Sequence, residues 1–176
     1  MRTTRTLIVT FALLCAGAAP AAAAPTEVTR AINGAQQVGE ARYQVLGVSL
    51  FEAELYTASG DFAWTTPFAL SLTYERSARA STLINRSISE MRGRGAGSAR
   101  TLAPLRAQFE RCFPNIARGD RVTGVSTGPN SARFYYNGAH RCDVEWPNFR
   151  RHFFGIWLDG RDGAAARISA QLRGEA

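Results

Sequence analysis

At 176 residues, 45% hydrophobic and 20% charged, the chain has the composition of one globular domain and is long enough to bury a core. All 21 basic residues are arginine, which excludes a Schiff base, a lysine general base or lysine electrostatic catalysis. They outnumber 14 acids for a formal charge of +7, but they are scattered rather than striped. The excess is therefore read as solvated surface, not as a nucleic-acid interface.

The chain begins with Arg2 and Arg5, continues through a nearly all-apolar run from Leu7 to Ala18, and reaches small residues at Ala21 to Ala24. That layout predicts a signal peptide over 1–23, cut between Ala23 and Ala24, ahead of one domain over 26–176. The apolar run is too short and too weakly flanked to be read as a membrane span. Leu14 before Cys15 argues against a lipoprotein site. The expected location is the periplasm or the exterior. Removing the leader leaves 19 arginines against 14 acids, a net charge of +5. It also leaves two cysteines, Cys112 and Cys142, which in an oxidising compartment suggest one disulfide, two separate buried thiols being the alternative.

Strands dominate from Val28 to Tyr74. Val38 to Val45 and Val48 to Tyr56 flank Leu46-Gly47, where glycine permits a bend or bulge. In the second of these, Phe51, Ala53 and Leu55 share one side while Glu52 and Glu54 share the other. Ser59-Gly60-Asp61 and Thr65-Thr66-Pro67 mark loops. Phe68, Leu70, Leu72 and Tyr74 then alternate with Ala69, Ser71, Thr73 and Glu75, the pattern of a half-buried strand.

A helix capped by Ser77 or Ser81 is predicted to run to about Arg92, with Leu83, Ile84, Ile88 and Met91 inside. Gly93 to Gly97 breaks it. A second helix, from about Thr101 to Phe113, turns Leu102, Leu105, Phe109 and Cys112 or Phe113 inward, and Pro114 ends it. Strands return at Arg121 to Thr127 and Ala132 to Tyr136 around the turn Gly128-Pro129-Asn130-Ser131, followed by a short return strand near Cys142. Pro147 suits the first position of an aromatic-faced helix carrying Phe149, Phe153, Ile156 and Trp157. Asp159-Gly160 stops it, and Ile168 and Leu172 begin another apolar stripe. Strands, two helices, a hairpin and two helices predict an α+β fold: a largely antiparallel sheet with helices packed on one face.

Chemical motifs are sparse. His140, Cys142 and Asp143 lie close in sequence, but a metal site needs three or four donors and a disulfide would remove one, so no metal or other cofactor is expected. Two histidines leave a Ser-His-Asp arrangement conceivable, yet there is no G-x-S-x-G elbow. Gly93-Arg94-Gly95-Ala96-Gly97 follows a helix rather than a strand, so it reads as a flexible connector and not a phosphate loop. Asn85-Arg86-Ser87 matches a glycosylation triplet by chance.

Several segments together resemble the chalcone isomerase-like superfamily, in particular its bacterial exported branch. They are Ala41-Arg42-Tyr43 through Leu46-Gly47 to Glu54-Leu55-Tyr56, then Leu72-Thr73-Tyr74-Glu75-Arg76, and Ser87-Ile88-Ser89-Glu90-Met91-Arg92. Arg118-Gly119-Asp120-Arg121, Phe134-Tyr135-Tyr136-Asn137-Gly138 and Phe153 to Asp159 complete the set. The resemblance spans about residues 30–173 and implies an open-faced sandwich, an antiparallel sheet under helices with a ligand cleft between them. It also implies where a site would lie. The plant enzymes of the superfamily close a phenol onto an enone with an arginine on an early strand, a threonine about a dozen residues later, and tyrosine, lysine and asparagine on the following helix. Arg42 matches the arginine. The threonine falls at Phe51, and the helix trio falls within about one residue of Arg79, Thr82 and Arg86, none of which matches. Keeping the arginine while losing the other groups implies a non-catalytic relative that holds a small amphipathic or fatty-acid-like ligand. In that reading Arg42 meets a negative group, Phe51 and Tyr74 line the pocket, and Arg79 and Arg86, seven apart on one helix face, make a basic rim. The alternatives are an isomerase with a rebuilt site and an envelope scaffold without a small ligand.

Overall fold

The computed structural model describes residues 23–161 and 163–175. The expected leader, all but its last residue, lies outside them. Six strands form one antiparallel sheet in the order β1-β2-β3-β4-β5-β6, each paired with its neighbours in sequence. They are β1 Gln36–Val45, β2 Val48–Thr57, β3 Phe68–Tyr74, β4 Arg121–Ser126, β5 Ser131–Tyr136 and β6 Ala139–Glu145. Helices α2 (Ala80–Gly93) and α3 (Ala103–Cys112) connect β3 to β4. After β6 come a π-helical segment, Arg150–Phe154, a one-turn α4 (Gly155–Leu158) and α5 (Gly163–Leu172). The expected α+β open-faced sandwich is the observed fold.

Two tight turns set the sheet register. Leu46 and Gly47 both take positive φ, +50° and +76°, as do Asn137 and Gly138 at +48° and +82°. Two consecutive positive φ values match the right-handed twist of the flanking strands and close a two-residue hairpin. The Asn137 turn is tied to the segment before β4. Asp120 accepts hydrogen bonds from the Ala117 N–H, the Tyr136 hydroxyl and the Asn137 amide at 2.6, 2.6 and 2.9 Å. The Arg118-Gly119-Asp120-Arg121 and Tyr135-Tyr136-Asn137-Gly138 motifs therefore meet in one knot.

The main core lies between the sheet and α2 to α5. Strand residues Ala53, Leu55, Phe68, Leu70 and Phe134 meet Ile84, Met91, Leu105, Phe109 and Leu172 from the helices. The aromatic stripe divides its duties. Phe149 and Phe153 stack at 4.9 Å and are buried with Phe154, while the less buried Ile156 and Trp157 join Phe153 and Phe154 in lining a cavity.

Four expectations need correction. The segment after Pro25 is not strand but a short helix, α1 (Thr26–Ala31). It lies on the sheet's other face, where Val28 and Ile32 join Tyr56, Ala69 and Val125 in a second small core. The helices are thus not all on one face, and β3 is buried on both sides at Ala69 and Ser71. Neither serine caps α2; the Ala80 N–H donates to Asn115 Oδ1 at 3.0 Å instead. The aromatic helix does not start at Pro147. Asn148 takes φ +54°, its N–H bonded to Asn130 Oδ1, and the helical segment follows.

Cys112 and Cys142 form a disulfide, Cα atoms 5.3 Å apart, joining the end of α3 to β6. No helix among the described residues is long and apolar enough to cross a membrane.

Candidate functional site

A cavity of about 740 Å³ lies between the sheet and the helix layer. That is inside the range of about 300–1,000 Å³ typical of small-molecule sites. Strand alternation supplies one wall. Tyr43, Phe51 and Tyr74 are register partners on β1, β2 and β3, so their rings form one row across the sheet. Tyr43 stacks on Phe51 at 5.0 Å and Phe51 tilts against Tyr74 at 5.7 Å. Leu70, Leu72 and Val122 extend this apolar surface, and Leu83, Ile156, Trp157 and Ile168 face it from the helices. Gly124 belongs to the lining as well. A Cβ there would stand 3.1 Å from both the Phe134 and Phe154 rings, so glycine lets those rings approach the strand.

Phe51 and Tyr74 both lie in the cavity wall. Burial pushes the Tyr74 phenol up to about 12, with no charged neighbour contributing. It is a neutral hydroxyl across the physiological range.

Arg42 is elsewhere, which corrects the expected anion clamp. It stands between Ala41, in the core, and Tyr43, in the cavity wall. Alternation along β1 therefore turns it to the opposite face. There its half-exposed guanidinium pairs with Glu52, its register partner, and lies 3.3 Å from Glu75. Two carboxylates already satisfy it. Arg79 is the N-cap residue of α2, exposed and not among the cavity residues. Arg86 does reach the rim, but it is paired to Glu90 at 2.6 Å. His140 and Asp143 sit 3.2 Å apart on exposed β6, with Asp143 shared by Arg133.

The cationic residue that sequence reasoning missed is Arg94. The Gly93 to Gly97 segment is not a loose connector but a Schellman cap on α2. The Gly95 N–H donates to the Arg92 carbonyl and the Ala96 N–H to the Met91 carbonyl, both at 3.0 Å, with Gly95 at φ +82°. This closure fixes Arg94 at the helix terminus. Its side chain is 17% exposed and lines the cavity. Nη1 donates to the Asp159 carbonyl at 3.2 Å and lies 3.7 Å from the Asp159 carboxylate. Nε is buried without a partner among the described residues, a position that costs about 1–3 kcal/mol when left unsatisfied. A signal for it existed: Leu83, Ser87, Glu90 and Arg94 follow one another at four, three and four residues, one continuous face of α2, and all four line the cavity.

No protein-family profile matches the chain, and no curated protein matches it at a significant level. Among solved structures, it is similar to an Arabidopsis thaliana fatty-acid binding protein. The TM-score is 0.63 at 10% identity, over 81% of this chain and 88% of that one. At that identity the likeness is one of fold alone.

Proposed function

We propose that this chain is an exported, non-catalytic binding protein of the bacterial chalcone isomerase-like branch, holding a small amphipathic, fatty-acid-like molecule between sheet and helices. The observation that carries this reading is the cavity itself: about 740 Å³, walled by the Tyr43–Phe51–Tyr74 row and by apolar side chains of α2, α4 and α5. Apolar walls with a few polar groups at their margin suit a molecule with a long apolar part and one polar end. The Arabidopsis thaliana neighbour, a protein of the same fold, is a fatty-acid binding protein, which supports the same class of ligand. Phe51, at the position of the plant enzymes' threonine, offers an aromatic face and no hydroxyl, which favours holding over turnover. The leader read from the sequence and the Cys112–Cys142 bond accord with an oxidising compartment outside the cytoplasm.

Native mass spectrometry and lipid extraction of protein purified from its own host test the proposal. Acyl compounds should co-purify at near one per chain. A Leu83→Trp substitution, which crowds the cavity from α2, should reduce that loading severalfold while the fold persists by circular dichroism. Protein that carries nothing and takes up no fatty acid would overturn the reading.

A further inference from the structure

We infer that Arg94 is the head-group subsite of this cavity, and that the ligand it selects is the ionised carboxylate of an amphipathic acid rather than a neutral lipid. The inference rests on the cavity being a binding site, as proposed above, and adds which end of the ligand goes where.

Among the described residues, the arginines that line the cavity are Arg76, Arg86 and Arg94. Arg76 is exposed, and Arg86 is largely exposed and engaged with Glu90 at 2.6 Å. Arg94 differs from both. It is mostly buried, its Nη1 is held by the Asp159 carbonyl, and its Nε is a buried donor with no acceptor among the described residues. A guanidinium presents its N–H groups in a fixed planar fork, so an edge with an unused donor suits a carboxylate oxygen. The Schellman cap and the Asp159 carbonyl hold the group in place, which lowers the ordering cost of binding.

The local charges allow an incoming anion. Among the described residues, Glu90 and Asp159 are the carboxylates beside Arg94, and Arg86 and Arg161 stand with them. Glu90 is neutralised by Arg86, and Asp159 approaches Arg94 only at 3.7 Å. A second hollow, about 280 Å³ and lined by Gly93, Asp159, Gly160 and Arg161, adjoins the same arginine. Arg94 belongs to the lining of both spaces, so a head group held there has polar surroundings while its chain lies along the apolar wall.

The test compares tetradecanoic acid with tetradecan-1-ol, equal in chain length and different in head charge, on the full purified protein at pH 7. The wild type should bind the acid about ten- to a hundredfold more tightly than the alcohol, the range expected for one charge-assisted hydrogen bond. Arg94→Gln should abolish that preference by weakening acid binding alone, and Arg94→Lys should retain part of it. Arg42→Ala should leave both affinities unchanged. Binding of both amphiphiles with no preference in the wild type would overturn the head-group assignment and leave the cavity reading standing, with no variant needed. A preference that survives in folded Arg94→Gln would also overturn it. A wild type that binds neither amphiphile would overturn the cavity reading and this inference together.

Discussion

Glu27 carries its carboxylate fully buried on the outer face of the sheet. Arg121 donates to it from Nε at 2.9 Å and from Nη2 at 3.2 Å, and Thr123 donates at 2.9 Å. Burial alone would raise its pKa. The bonds from Arg121, its own backbone N–H and Thr123 outweigh that and hold it below the usual glutamate range. A folded-state pKa below the unfolded one stabilises the protein above the unfolded value of about 4.3, and that contribution is lost as pH falls through the folded value. Thermal melts of the wild type should therefore lose stability as pH falls below the unfolded value of about 4.3. Glu27→Gln should cost about 1.5–3 kcal/mol at pH 7 and show a shallower acid decline. Identical pH slopes in the two proteins would show that this carboxylate contributes nothing. The same single-residue resolution separates Arg42 from Arg94. Each is an arginine in a plausible place, yet Glu52 and Glu75 claim the first while the second keeps an unused donor beside the cavity.

Helix α5 shows how closely one element can depend on a single position in another. Gly39 on β1 lies under its C-terminal end, where a Cβ would stand 2.1 Å from the Gln171 carbonyl oxygen and 2.8 Å from that of Leu172. These are backbone atoms that no rotamer change can move aside. Gly39→Ala should displace α5 and cost about 1–3 kcal/mol, measured by urea denaturation. Because α5 brings Ala165 and Ile168 to the cavity, fatty-acid uptake should fall as well. Uptake and stability equal to wild type would mean the helix adjusts without loss. Elements with a long period were legible before any coordinates: the β2 and β3 alternation, the α2 and α3 stripes and the aromatic run at 149–157. Helix α1 was not, because six residues hold fewer than two turns and give no period to read. The α2 cap escaped for a related reason. Gly-Arg-Gly looks loose in sequence, and only the backbone bonds show it closed.

Across the whole molecule, the sheet is a meander of sequence neighbours, and the helix layer is a separate body laid on it. The Cys112–Cys142 bond ties the two, spanning 30 residues of chain. A loop of that length corresponds to about 3–4 kcal/mol in the chain-entropy account. Cys112→Ser/Cys142→Ser should lower the denaturation free energy by about that amount and should loosen α3 over β6. A loss below about 1 kcal/mol would show that packing of Phe109, Phe113 and Phe149 holds the layers without it. The cavity belongs to this scale too, since its walls come from β1 to β5 and from the helices on both sides of the β4–β6 segment.

The sequence by itself determined the phases of the longer strands and helices, including the side of β2 that carries Phe51 and the side of β3 that carries Tyr74, because local periodicity fixes which way each side chain points within its own element. It also showed two cysteines available for a bond. The tertiary structure alone decided what is stacked against each of those directions. It put α1 on the far face of the sheet, gave Arg42 one carboxylate from β2 and another from the residue after β3, and brought Arg94 beside Asp159 at the cavity margin. Burial and pairing depend on partners far along the chain, and no spacing within one element encodes them.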